Sequence, residues 1–308
     1  MTNPEKNTSI PVSLTRFAWI SIAAAVITIA LKLNAYWLTN SVGLLSDALE
    51  SFVNLLTAIV ALVALQISVR PPDDDFTFGY SKVEFFSSGF EGAMILIAAG
   101  SIAFAAVERL LHPQPIEKIG LGLLISGSAS LVNLVVSLML ARVGKRYDSI
   151  TLQADARHLM ADVITTGGVI VGVGLVSVTR VVVLDPIVAI LVAINILFTG
   201  VRLLQQSYRG LMDMSLPEPE LEKIQGILKT YEAQGIKFHA IRSRSAAARK
   251  FLSMHILVPG AWSVHQGHKI AEEIENHIRQ EFSQIAIVTH VEPIEDPTSF
   301  EDSRLENE

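Results

Sequence analysis

The chain has no cysteine among its 308 residues. Disulfide bonds and thiolate metal sites are therefore excluded, so any metal ion has to be held by histidine, carboxylate, amide or carbonyl groups, or water. Charged residues are also few, because Asp, Glu, Lys and Arg make up 18% of the chain and hydrophobic residues 50%. A mean hydropathy of +0.45 is typical of a membrane protein.

Long apolar runs fill the first two thirds of the chain, and at about 20 residues per crossing they supply roughly six membrane spans. The predicted spans are residues 17–38, 42–69, 85–111, 119–143, 152–178 and 181–204. The first run is too long for a removed signal peptide. We therefore predict an α-helical membrane protein whose six transmembrane helices occupy residues 14–212.

Basic residues are distributed unevenly between the loops that connect these spans. The loop between the first and second spans has none, whereas the loops after the second, fourth and sixth spans are basic. Their basic residues are Arg70 and Lys82, then Arg142, Lys145 and Arg146, then Arg202 and Arg209. By the positive-inside rule both termini, including a tail of residues 1–13, lie in the cytoplasm, and we expect the inner membrane of the cell. The formal net charge of −6 is mild and gives no reason to expect a nucleic-acid partner.

The composition changes after Asp213, where Pro217 and Pro219 break the helix. Residues 213–294 are amphipathic and charged, with helices predicted at 219–233 and 264–282 and strands at 237–243, 251–258 and 285–291. This αββαβ order predicts a small two-layer α+β domain in the cytoplasm. The acidic, polar residues 295–308 are predicted to be a disordered tail.

Two polar triplets with the same spacing interrupt the second and fifth spans. They are Asp47, Glu50 and Asn54, and then Asp155, His158 and Asp162. Each triplet has the spacing i, i+3 and i+7, which places its three side chains on one face of a helix. Ionisable groups are costly to bury in hydrocarbon, so they normally face a partner or a water-filled path.

Metal binding accounts for these two polar faces. Carboxylates and imidazole are ordinary metal ligands, and an amide offers a carbonyl oxygen. One i, i+4 pair from each helix predicts a four-ligand site, made of Glu50, Asn54, His158 and Asp162; we call these residues the membrane quartet. Asp47 and Asp155 lie one turn nearer the same membrane face, as accessory groups that hand ions in or accept hydrogen bonds from the ligands. The alternative is a purely structural polar seam between helices.

Three motifs also carry a resemblance to a known family. They are Ser41–Asn54 (SVGLLSDALESFVN), Phe78–Glu84 (FGYSKVE) and Ala154–Asp162 (ADARHLMAD). Together with the six spans and the αββαβ domain, they resemble the cation diffusion facilitator family. The resemblance implies a homodimeric exporter of divalent metals, typically zinc, that exchanges the ion for protons. It also implies a central transport site at the four positions of the membrane quartet.

The quartet departs from the family pattern, in which Asp is usual at the position of Asn54 and Asp or His at that of Glu50. A neutral amide removes one negative charge and weakens a zinc-type site. An oxygen-rich quartet suits iron, manganese or cobalt as readily as zinc. Since His158 has to be neutral and the carboxylates ionised to bind metal, metal binding expels protons, which predicts metal/proton antiport.

A second group of metal ligands is implied in the cytoplasmic domain. His290 and Glu292 are two residues apart on a predicted strand and therefore point to the same face. In the resembled family a cytoplasmic metal site uses histidines from both earlier strands and from the second helix, and an acid on the last strand. The corresponding residues here are His239, His255, His268, His290 and Glu292. The plainer interpretation, that each histidine is a surface residue, is the one that we favour for His265 and His277.

Two further positions are compared with the family. Some members bind another metal in the loop after the second span, but Phe76 and Tyr80 stand in place of the histidines here. Residues 73–75 remain as three aspartates, and we expect no tight site there. Lys82 and Asp213 occupy positions where the family forms a charge interlock between its domains; a plain surface pair, worth at most about 1 kcal/mol, is the alternative.

The sequence therefore predicts a divalent metal efflux transporter and not an enzyme, carrying zinc or equally iron, manganese or cobalt. No cofactor beyond the transported and regulatory metal is expected. The expected partners are a second copy of the chain, divalent metal ions, protons and the lipid bilayer. A membrane metal sensor or scaffold that no longer carries ions is the alternative that Asn54 suggests. A metal-dependent intramembrane hydrolase is more remote, because H-E-x-x-H and a nucleophile with its base are absent.

Overall fold

The computed structural model describes residues 14–39, 42–112, 119–181, 183–282 and 284–304. Within these ranges the side chains of residues 38–50, among others, lie outside the description, so Asp47 and Glu50 are placed by backbone alone. The chain forms two compact units. One is helical and runs from Ser9 to Arg209, and the other begins at Gly210.

Six long helices make up the described part of the helical unit. They are α1 (Leu14–Thr39), α2 (Val42–Ser68), α3 (Val83–Leu111), α4 (Ile119–Arg146), α5 (Ile150–Thr179) and α6 (Leu184–Leu211). Four described segments are long and apolar enough to cross a membrane: Leu14–Asn34, Val83–Leu111, Leu124–Arg146 and Pro186–Leu211. The six predicted spans are thus confirmed for α1, α3, α4 and α6. For α2, whose described apolar part is Asn54–Ser68, and for α5 they remain a prediction.

The helical unit is apolar on its outside and partly polar inside. Large apolar side chains such as Trp37, Phe104 and Leu124 are exposed, which suits a lipid surface. Its buried residues include many small ones, and glycines bring helices close together. A Cβ added to Gly92 of α3 would lie 3.3 Å from the carbonyl oxygen of Gly200 in α6. Small residues at such crossings are the usual means of packing helices in membranes.

The start of α5 is fixed against α3 by a buried hydrogen-bond junction. Ser149, the N-cap residue of α5, accepts from the Leu152 amide and donates to Glu84 Oε2 at 2.7 Å. The Thr151 amide donates to the same carboxylate oxygen at 3.3 Å. A carboxylate at a helix N-terminus is favoured by the helix dipole. This junction sets where α5 begins, and therefore where its polar triplet lies.

The C-terminal unit is a two-layer α+β domain. Its elements are α7 (Glu218–Glu232), β1 (Lys237–Ala246), β2 (Arg249–Val258), α8 (Val264–Glu281) and β3 (Ile285–Pro293). The strands form one sheet in the order β1-β2-β3, with β1 antiparallel and β3 parallel to β2. Alternate residues of β2, including Met254, are buried with Ile224 of α7 and Ile274 of α8, whereas His255 lies on the other face. The predicted αββαβ order is confirmed.

The segment after β3 contains a short helix. A 3₁₀ helix runs from Pro297 to Arg304, and residues 305–308 lie outside the description. Local polar contacts hold its start: the Thr298 amide donates to Asp296 Oδ1 at 2.9 Å, and the Ser299 hydroxyl donates to the Pro293 carbonyl at 2.9 Å. The Phe300 ring stacks on His239. An acidic composition does not reveal these capping contacts, and the disordered tail of residues 295–308 stays a prediction.

Candidate metal centres

The amide of Asn54 on α2 lies between two side chains of α5. Its Oδ1 is 2.7 Å from His158 Nε2, and its Nδ2 donates a hydrogen bond to Asp162 Oδ2. Asn54 is 3% exposed and His158 4%. The i, i+4 spacing places His158 and Asp162 on one face of α5, which here is the face toward α2. Three of the four quartet residues therefore meet, and the side chain of the fourth, Glu50, lies outside the described residues.

A fourth group, absent from the sequence prediction, joins them from α4. Asn133 is 3% exposed, and its Nδ2 donates to Asp162 Oδ2 at 3.4 Å. Its Oδ1 is buried without a hydrogen-bond partner among the described residues. An amide in the middle of an apolar span was the available signal. Its companions at helical spacing, Ser130 and Ser137, are serines, so no row of carboxylates or histidines draws attention to it.

The accessory residue Asp155 lies almost one turn before His158 on α5. It is 1% exposed, and both carboxylate oxygens are buried without a hydrogen-bond partner in the part of the chain that the structure describes. The Ser21 hydroxyl of α1 lies beside this carboxylate. The side chain of Asp47, its predicted counterpart on α2, is not described.

The chemistry of this buried group fits a divalent cation. Amide oxygens, one imidazole and carboxylates are the ligand types that zinc and its first-row neighbours accept. The amide groups of Asn54 and Asn133 both donate to Asp162, so they offset part of its charge. Because an uncompensated charge is expensive to bury, a bound cation is the natural counter-charge for the remaining carboxylates.

The C-terminal unit carries a second group of ligands in one row across its sheet. His239, His255 and His290 stand opposite one another on β1, β2 and β3. Glu292 reaches all three: its Oε2 is 2.8 Å from His239 Nε2, and its Oε1 is 3.2 Å from His255 Nδ1 and 3.3 Å from His290 Nδ1. We call these four residues the sheet cluster.

Ligand atoms of His239, His255 and Glu292 lie within 4.8 Å of one another. No other group of three such side chains among the described residues comes this close. The Glu292 side chain is 11% exposed, whereas that of His290 is 67% exposed. A carboxylate that offers one oxygen to one histidine and the other oxygen to two more has the geometry of a bridging ligand.

A β-bulge is what brings His239 into this row. The pairing of β1 with β2 shifts by one residue between His239 and Arg242, and Ala240 has a positive φ of 49°. Continued without a shift from Arg242 opposite Ser253, the register would place His239 opposite Ile256, on the apolar face. The observed register places it opposite His255. Bulges commonly re-aim a side chain in this way next to functional sites.

The other histidines of this unit lie apart from the sheet cluster. His268 is exposed on α8 and is not in the group that the structure brings together; its place in the cytoplasmic site remains a prediction. His265 is exposed on the first turn of α8. His277 is half-buried, with Nδ1 3.3 Å from the Tyr231 hydroxyl.

In the loop after α2, a single aspartate is held by its neighbours. The Phe76 amide donates to Asp73 Oδ1 at 2.8 Å, and the Tyr80 hydroxyl donates to Asp73 Oδ2. The hydrogen bond from Tyr80, followed by that from Phe76, lowers the pKa of Asp73, and the same contact raises the pKa of Tyr80. The Asp73 carboxylate therefore accepts a hydrogen bond from Tyr80, at a position where a histidine could instead bind a metal ion together with the aspartate.

The proposed interlock residues lie in different units. Within the C-terminal unit, Asp213 Oδ1 accepts a hydrogen bond from Arg244 Nη1 at 3.0 Å. This contact ties Asp213, two residues after the end of α6, to β1. The pairing of Asp213 with Lys82 stays a prediction.

Comparison with known proteins gives the family. Residues 18–212 match the cation efflux transmembrane domain, and residues 216–294 match the cation efflux protein cytoplasmic domain. An uncharacterized transporter of Synechocystis sp. is 48% identical over 285 residues, which is 92% of each chain. Protein p34 of Rickettsia prowazekii is 27% identical over 277 residues, covering 90% of this chain and 91% of that one. The cation-efflux pump FieF of Citrobacter koseri is 25% identical over 283 residues, covering 91% and 93%. This integral membrane protein therefore belongs to the cation diffusion facilitator family of cation efflux transporters.

Proposed function

We propose that the protein exports a divalent metal cation in exchange for protons. It works as a homodimer in the inner membrane, with both termini in the cytoplasm. The observation that carries this proposal is the buried contact of Asn54 with His158 and Asp162 across α2 and α5. Ligand-type side chains from separate helices meet there in the interior of the helical unit, the usual location of a transporter's ion site.

Exchange follows from competition for one nitrogen. Asn54 Oδ1 is only an acceptor, so the His158 nitrogen that faces it carries a proton in this arrangement. A metal ion can bind that nitrogen only in the neutral imidazole whose single proton is on Nδ1, so the doubly protonated imidazolium has to release one proton first. Proton and metal therefore exclude each other at His158, and a proton gradient can drive the metal out.

The proposed cargo is zinc, iron, manganese or cobalt. Two amides and the carboxylates give the site more oxygen than nitrogen ligands, and His158 is the single imidazole among the described quartet residues. Such a set does not favour zinc strongly over the harder cations, so availability in the cell decides much of the preference.

The sheet cluster is proposed as a regulatory site for cytoplasmic metal. Glu292 would bridge between His239 and the pair His255 and His290, and occupancy would draw two copies of this domain together. Metal bound across three strands adds cross-links that the sheet alone lacks, so metal would also stabilise the unit.

A metal sensor or scaffold that carries no ions is the second candidate. It is favoured by one observation: the Asn54 amide already satisfies Asp162 by a hydrogen bond. This hydrogen bond stabilises the Asp162 carboxylate without a metal ion, so the quartet would gain less from binding a cation. Transport measurements separate this candidate from the exporter.

The test is uptake of Zn²⁺, Fe²⁺, Mn²⁺, Co²⁺ and Cd²⁺ into proteoliposomes, with and without a pH gradient. Wild type is compared with His158→Ala and with His112→Ala, which removes an exposed histidine at the end of α3. We expect gradient-dependent uptake in wild type and His112→Ala and its loss in His158→Ala. Uptake that ignores the gradient and survives in His158→Ala would rule out the proposed exchange; no uptake of any metal by wild type would favour the sensor.

A further inference from the structure

Glu91 is an acidic side chain in the interior of α3 that the quartet does not use. It is 0% exposed, and neither carboxylate oxygen has a hydrogen-bond partner in the described part of the chain. Burying a polar group without a hydrogen bond costs several kcal/mol, because the group loses its contacts with water and gains none in return. A side chain retained at that cost usually has a ligand.

Its neighbour on α5 has the same property. Asp155 is 1% exposed, its two oxygens are also unpartnered among the described residues, and the two carboxylates are close enough to interact electrostatically. Helix packing holds them there: Ile95 of α3, Ala154 of α5 and Leu203 of α6 belong to one buried cluster. Gly92, next to Glu91, lies against α6, where an added Cβ would come within 3.1 Å of the Leu203 Cβ.

Four unpartnered carboxylate oxygens require a positive ligand. Two like charges in a low-dielectric interior repel each other, and the neutral Ser21 hydroxyl beside Asp155 does not offset that charge. A divalent cation supplies both the charge and the coordination that these oxygens lack. Two carboxylates that share one proton are the alternative, and the binding experiment below distinguishes the two.

We propose that Glu91 and Asp155 form a second cation position in the helical unit, one that holds the transported metal before it passes to His158. Asp155 and His158 are three residues apart on α5, so a cation moves about one turn between the two positions. This proposal rests on the proposed transport function.

The direction of the path comes from further oxygens on α3. Glu84 Oε1 and Ser88 Oγ are also buried without a hydrogen-bond partner in the described residues. Residues 84, 88 and 91 have the spacing i, i+4 and i+7, which places them on one face of the helix. Glu84 contacts Ser149 and Thr151 at the start of α5. Polar oxygens therefore run from the beginnings of α3 and α5 to Glu91 and Asp155, and then to His158.

The transport test compares Glu91→Gln and Asp155→Asn with Glu108→Gln, an exposed glutamate of the same helix. Initial rates of Zn²⁺ and Mn²⁺ uptake into proteoliposomes are measured over a range of metal concentrations. We expect KM to rise about tenfold in Glu91→Gln and Asp155→Asn, as the loss of one ligand predicts, and to stay at the wild-type value in Glu108→Gln. Curves for Glu91→Gln that overlay those of Glu108→Gln would overturn the proposal while leaving the proposed function intact.

Direct binding gives a second, independent measurement. In the full-length protein, His239→Ala and His255→Ala remove the sheet cluster and His158→Ala disables the quartet. We expect titration of this variant with Zn²⁺ or Mn²⁺ to show one ion bound per chain, with a lower affinity than in wild type. Adding Glu91→Gln should abolish this binding. If Glu91→Gln elutes as misfolded protein, Asp155→Asn serves in its place. Residual binding that neither variant changes would overturn the second position and favour the shared proton, even if wild type should prove to transport nothing.

Discussion

Replacing Asn54 by aspartate tests the most unusual feature of the quartet. In the structure the Asn54 amide donates to Asp162, so Asn54→Asp substitutes a carboxylate for the donor. The metal-free protein loses a hydrogen bond to a charged group, worth about 1.5–3 kcal/mol. It also gains a repulsion between two charges, about 4 kcal/mol at 4 Å with an effective dielectric constant near 20.

Proton sharing between the two carboxylates limits this penalty. We therefore expect the metal-free Asn54→Asp protein to unfold more easily by about 2–4 kcal/mol, which is less than the sum of the two penalties. A bound divalent cation cancels the repulsion, so the variant should bind metal more tightly than wild type and prefer zinc over manganese. Stability and metal affinity thus move in opposite directions.

Thermal unfolding with and without Zn²⁺ and Mn²⁺, together with titration calorimetry, measures both effects. The matched control is Asn34→Asp, because Asn34 is exposed on α1 and donates to the Ala30 carbonyl of its own helix. The control should show neither the loss of stability nor the gain in affinity. If Asn54→Asp resembles the control in unfolding, in metal preference and in transport rate, then Asn54 does not lie at a metal site.

Three further results are expected. Glu292→Gln should weaken metal binding by the sheet cluster about 100-fold, because the bridging charge is lost, and should leave transport by the quartet unchanged. Calorimetry should show no change in affinity for Glu281→Gln, which replaces an exposed glutamate. Equal metal affinities of Glu292→Gln and wild type would contradict the bridging role. Asn133→Ala should weaken quartet binding about tenfold, since the buried Asn133 Oδ1 is lost as an oxygen ligand, whereas Ser128→Ala on the exposed face of α4 should not. Tyr80→Phe should raise the pKa of Asp73 toward its ordinary value, because the hydrogen bond from Tyr80 is the main cause that lowers it. In wild type the contact between Tyr80 and the ionised Asp73 persists as the pH falls, until the pH passes through the lowered pKa of Asp73. If a carboxyl NMR titration gives Asp73 the same pKa in wild type and Tyr80→Phe, the hydrogen bond from Tyr80 is not the main cause of the lowering.

The long elements could be predicted from the sequence because each has a strong periodic or apolar signal. The predicted spans coincide with α1 to α6 along most of their length. The ends differ where a helix continues beyond its apolar run. We predict the last span to end at residue 204, but α6 continues to Leu211 through Arg209. Hydropathy detects the hydrocarbon boundary, whereas backbone hydrogen bonding continues the helix past it.

The details of the two candidate centres depended on signals that the sequence does not carry. The His239 register depends on a bulge at Ala240, and alanine is not a residue that marks a positive φ. Asn133 joins the quartet through the packing of α4 on α5, which a single polar residue in an apolar span does not specify. The pairing of Asn54 with His158, in contrast, followed from two matching i, i+4 intervals, because helical spacing is a local property.

The negative charges of the helical unit are best considered together. Asn54 takes one carboxylate away from the position where the family usually has one. Glu91 provides another on α3, buried beside Asp155 and about one turn from the quartet along α5. If Glu91 and Asp155 hold the cation first, the chain keeps enough negative charge to draw a divalent ion into the membrane. The quartet then carries less negative charge than it would with aspartate at position 54, so it holds the ion less tightly, which favours release over retention.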